Sequence, residues 1–128
     1  MEDGIERLAA LVLTLTCLSH ITAPRAWAIL FERIRAGGET AGLANAAVHL
    51  PLGLLIVAFH NVWSGWGLVF TLIGWALLLK GSLHLLFPTL AQRSLRLPGK
   101  GHDAEIRYRL AGMFMLPPAL LLVWIAFR

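Results

Sequence analysis

Six side chains in this 128-residue sequence have types and spacings suited to chemistry: His20, Asn45, His49, His60, Lys80 and His84. Gly42, Asn45, His49, Gly53, Ile56 and His60 follow one another at steps of three and four, the spacing of one helix face. On such a face Asn and His hydrogen-bond across to a neighbouring helix, or line a path for an ion or polar solute. Lys80 and His84 lie one turn apart. With His20 opposite, they would form a cationic pocket for an anionic headgroup or a quinone-like oxygen. His20 and His84 also stand at matching places in two similar strings. Facing each other inside a bundle, they would be possible axial ligands of a haem iron. Each pattern has a structural use as well: helix packing for the Asn45 stripe, snorkelling for Lys80, and backbone or headgroup hydrogen bonds for the histidines. A Gly-rich phosphate loop, a nucleophile–base spacing and a carboxylate pair are all missing from the sequence, so a non-enzyme is expected.

The elements that carry these residues follow from composition. Hydrophobic residues make up 58% and charged residues 14%, and mean hydropathy is +0.72. A soluble domain carries roughly 25% charged residues, and a chain this short has too little interior to hide so much apolar surface. The single cysteine, Cys17, excludes an intrachain disulfide and a cysteine-based zinc site. Apolar runs at 8–23, 40–60, 62–87 and 108–127 approach or exceed the roughly 20 residues that cross a bilayer, and lipid requires them to be helical. The spans so drawn hold no carboxylate, which argues against a proton-coupled carrier. Pro51, Pro117 and Pro118 fall inside spans and predict kinks. Gly67, Thr71, Gly74, Gly81 and Pro88 make a second stripe, suited to close helix approach.

The sequence also repeats itself. His20 and Pro24 recur as His84 and Pro88, and Leu50-Pro51 recur as Leu116-Pro117. Two units, about 5–60 and 62–127, each consist of an apolar run, a His-x-x-x-Pro exit, a basic loop and a second apolar run broken by proline. The match breaks where Thr16 answers Lys80 and Met115 answers His49.

Arg25, Arg33 and Arg35 fill one loop, and Arg93, Arg96, Lys100, Arg107 and Arg109 fill the other. The turn at 61–67 holds no basic residue, and the chain ends hold Arg7 and Arg128. This bias puts both basic loops in the cytoplasm and both termini outside, with Trp63, Trp66 and Trp124 at the outer interface and Trp27 at the inner one. Anionic lipid, not nucleic acid, is the expected partner of the net charge of +4, with Arg25, Arg33, Arg35, Arg93 and Arg96 at the headgroups. In the first basic loop Trp27, Leu30, Phe31 and Ile34 share a face, which predicts a short helix lying in the headgroup layer. The acidic start of the chain, MEDGIER, is unlike a cleaved leader.

The string KGSLHLLFPTL at 80–90, followed by Arg109-Leu110-Ala111-Gly112, resembles the YjeT-like family of two-helix bacterial inner-membrane proteins of unknown function. Gly81, Leu86, Phe87, Pro88, Arg109 and Gly112 carry the resemblance, and Pro24-Arg25-Ala26-Trp27 in the other half carries the family's Pro-basic-Ala-Trp step. Lys80 stands where the family tends to have an acidic residue. The resemblance implies a duplicated two-helix membrane unit. The expectation is therefore an all-α integral membrane protein of four transmembrane helices in two parallel repeats. Its function would be that of an accessory or assembly subunit against lipid, other membrane subunits or a second copy. A small transporter or channel along Asn45, His49 and His60 is the second expectation, and a haem or redox subunit the third.

Overall fold

The computed structural model describes residues 1–90 and 101–128, which form helices and turns with no strand among them. Four helices are long and apolar enough to cross a membrane: α1 (Glu2–Thr22), α3 (Thr40–Phe59), α4 (Gly67–Leu86) and α5 (His102–Phe127). A shorter helix, α2 (Pro24–Ala36), joins α1 to α3.

Local chemistry sets the ends of these helices. Glu2 and Asp3 occupy the first turn of α1, where carboxylates oppose the positive end of the helix dipole, so the helix starts earlier than the apolar run at residue 8. Asp103 and Glu105 do the same for α5 and extend it back from residue 108 to His102. In the opposite sense, α4 starts at Gly67 and not at residue 62, because Gly65 turns the chain with φ +56°. Pro24 opens α2 at its first turn, where its missing N–H is not needed. Gly37 closes it, its N–H bonding back to the carbonyls of Arg33 and Ile34, and Gly38 leaves with φ +62°. α3 and α5 run on through Pro51 and through Pro117 and Pro118.

The long helices pack as two intimate pairs, α3 with α4 and α1 with α5. Small residues set the approach. A Cβ added at Gly53 would lie 2.5 Å from the Leu78 amide nitrogen, and one at Gly112 would lie 2.7 Å from the Cys17 carbonyl. Gly74 leaves the space that the Ile56 side chain fills, and Gly81 faces Leu50. Both sequence stripes therefore face helices, as their spacing predicted, with Gly42, Asn45, Gly53, Ile56 and His60 buried on one and Thr71, Gly74 and Gly81 on the other.

The two pairs share one apolar core, made by Ala9, Ala10, Ile56, Phe70, Leu122 and Ile125. These residues come from the start of α1 and α4 and the end of α3 and α5, so the core lies toward the end of the bundle that holds both termini. At the other end α2 packs on α5, α3 and α1. Between 17% and 28% of each long helix's apolar window is buried inside the protein. The remaining apolar surface, far larger than a water-soluble monomer exposes, suits a multi-pass membrane protein.

Candidate functional site

A polar network ties α3 to α4 near the α2 end. The Asn45 side-chain amide donates to His84 Nδ1. His49 Nδ1 lies 2.8 Å from the Asn45 carbonyl, and Lys80 Nζ lies 3.0 Å from His49 Nε2. One tautomer of His49 satisfies both of its bonds: Nδ1–H donates to the carbonyl and Nε2 accepts from the amine. The freed carbonyl expected from Pro51 is that of Ala47, so the His49 bond to Asn45 is separate from the proline's effect. Asn45 and His84 are buried, His49 is half-buried, and Lys80 is exposed at the edge. Four of the six sequence candidates thus form one group.

His60 belongs to a second group at the termini end. Its Nε2 donates to Glu6 Oε1 at 2.8 Å, and its Nδ1 lies 3.4 Å from Thr71 Oγ1. The Thr71 hydroxyl donates to the Val62 carbonyl at 2.7 Å and accepts from the Val62 N–H at 3.0 Å, so it staples the turn between α3 and α4. His60 and Thr71 are fully buried. Because α1 begins at Glu2, the first apolar helix includes Glu2, Asp3 and Glu6, and Glu6 is the partner of a buried histidine. Glu6 escaped the sequence reading because it sits among the polar residues before the apolar run. The signal available was its place one helical turn before Ala9-Ala10, a pair of small residues suited to close helix approach.

His20 forms a third group. Its Nδ1 lies 2.8 Å from the Thr16 carbonyl, its ring stacks on Trp27 at 4.0 Å, and Tyr108 lies beside it. Trp27 Nε1 donates to Ser19 Oγ, and Phe31 stacks on Tyr108 at 5.4 Å. The apolar face of α2 is therefore largely docked on α1 and α5. The short helix expected at this place is present, and Tyr108 within α5 supplies an aromatic surface on which Phe31 stacks beside Trp27. Leu30 stays exposed, as do Arg25 and Arg33, while Arg35 is half-buried. Arg93 and Arg96 lie outside the described residues. His20 and His84 engage different partners on different helix pairs. Among the described residues no three His, Cys, Asp or Glu gather as a metal site.

Between α1, α4 and α5 lies an apolar cleft of about 350 Å³. Leu13, Ile73 and Leu122 line it toward the termini end, and Cys17, Lys80 and Met115 line it toward the α2 end. The chain matches no protein-family model, no curated protein and no solved structure. Chemically, the described residues offer hydrogen-bonded groups that tie helices together and an apolar cleft that the Lys80 stem helps to line.

Proposed function

We propose that this chain is a small non-enzymatic accessory protein of the bacterial inner membrane that holds lipid or partner helices against its outward surfaces. The carrying observation is that polar side chains bond across helix contacts: Asn45 to His84 and His49 to Lys80 between α3 and α4, and Glu6 to His60 between α1 and the end of α3. Groups bonded in this way hold helices together. A path along Asn45, His49 and His60 requires continuity, and between the two groups Gly53 sits against the α4 backbone and Ile56 fills the space beside Gly74. A transporter would have to part that contact in each cycle. A haem protein would have to draw His20 and His84 from their separate partners onto one iron.

The topology that goes with this function has both termini outside and Arg25, Arg33, Arg35, Arg107 and Arg109 on the cytoplasmic side. Its four spans are two parallel copies of a YjeT-like unit. Exchanging the halves turns the α1–α5 pair into the α4–α3 pair. It also turns Gly74 and Ile56 into Ala10 and Leu122, which share the apolar core.

Isolation in mild detergent tests the function. Co-purification of a stoichiometric membrane partner or a tightly held lipid is expected. A bare homo-oligomer that conducts in liposomes, with flux abolished by His49→Ala, would overturn it in favour of a transporter.

A further inference from the structure

We infer that the cleft between α1, α4 and α5 is a binding site for an anionic phospholipid of the cytoplasmic leaflet, with one acyl chain in the cleft and its phosphate paired to Lys80. The inference rests on the membrane reading above and makes it specific. Three observations carry it.

The first is size and shape. A volume of about 350 Å³ is at the small end of ligand pockets. At roughly 30 Å³ per water-sized group it holds on the order of ten methylenes. That is a length of one acyl chain, too little for two chains or a polycyclic body. The cleft is also elongated along the helices, from Ile73 to Lys80 on α4, a rise of about 10 Å.

The second is the chemistry of the walls. Leu13, Ile73, Leu77 and Leu122 offer no hydrogen bond to a polar occupant, and Lys80 is the single charged residue of the lining. A chain with an anion at one end complements walls that are apolar throughout, with the Lys80 stem among them and its amine outside the lining on His49.

The third is how Lys80 is held. Its amine donates to His49 Nε2 at 3.0 Å, and His49 is fixed in turn by the Asn45 carbonyl. An amine anchored through one of its protons has others left for a phosphate oxygen. His49 is thus a positioning residue that holds the Lys80 amine between α3 and α4. Lys80 lies six residues before the end of α4, about 9 Å along the helix, within snorkelling reach of a headgroup there.

Native mass spectrometry of the intact protein in mild detergent, with phosphatidylglycerol or phosphatidylcholine added, tests the site. One phosphatidylglycerol should be retained in preference to phosphatidylcholine by about fivefold. Lys80→Gln should abolish the preference and Lys80→Arg should keep it. Ala76→Trp, on the cleft lining, should exclude both lipids while leaving the helical circular dichroism unchanged. Equal retention of the two lipids, or a preference that survives Lys80→Gln, overturns the inference and leaves the accessory reading intact. So does displacement of lipid by a co-purifying partner helix that crosslinks at position 76. Retention of neither lipid nor partner overturns both.

Discussion

Glu6 and His60 meet at the termini end of the bundle, with Nε2 of the imidazole 2.8 Å from Oε1 of the carboxylate. This contact fastens the start of α1 to the end of α3, and so fastens one helix pair to the other. Glu6→Ala leaves a buried imidazole without its partner and should cost about 1–3 kcal/mol. Glu6→Gln keeps an acceptor oxygen and should cost less. Thermal unfolding in detergent, followed by circular dichroism, ranks the two. Equal losses would show that the charge and not the hydrogen bond holds the ends together.

At Gly53 the backbone of α3 lies directly against that of α4. Gly53→Ala places a methyl 2.5 Å from the Leu78 amide nitrogen, which is backbone and has no rotamer to yield. Overpacking of this kind costs about 1–3 kcal/mol. Gly4→Ala is the matched control, because nothing lies within 4 Å of its added methyl. There the better helix propensity of alanine should raise stability by up to about 1 kcal/mol. Opposite signs in the same melting assay are expected.

Docking of α2 depends on Trp27, which stacks on His20 and donates to Ser19. Trp27→Ala removes both contacts, and the stacking alone is worth about 0.5–1.5 kcal/mol. Trypsin cleavage after Arg33 and Arg35 should then be several-fold faster than in the parent protein. Unchanged digestion would mean that Phe31 on Tyr108 suffices to hold the helix.

Orientation can be read with single cysteines in a Cys17→Ser background. A membrane-impermeant maleimide applied to intact cells should label Ser64→Cys, in the turn before α4, and spare Glu39→Cys, after α2. The reverse pattern would invert the topology.

Parts of this structure can be read from residue spacing alone. The α3 stripe is one, because steps of three and four put Asn45, Gly53 and Ile56 on a single face whatever that face meets. Which helix it meets is another matter. Periodicity locates a buried side and carries no label for the partner, so the bond between Asn45 and His84 is not legible in it. Glu6 was hidden for a different reason. Hydropathy averages over a turn or more, and a carboxylate that pairs with a histidine far along the chain looks like any polar flank. Lys80 was visible as an oddity, but its bond to His49 depends on the close approach at Gly53 and Gly81. The cleft could not be foreseen at all, since a void is a difference between the volumes of three helices that are distant in sequence.

The position of that void has a consequence for how it exchanges its contents. The apolar core seals it on one side, toward the termini, and the stack of Trp27, Phe31 and Tyr108 caps the bundle at the other end. α4 packs mainly on α3 and α5 mainly on α1, so the cleft lies along the loosely packed seam between the two helix pairs. For the lipid inferred above, loading would run sideways through the plane of the bilayer and not from water. Its rate should follow the mole fraction of the lipid in the membrane and stay the same when the vesicles are diluted.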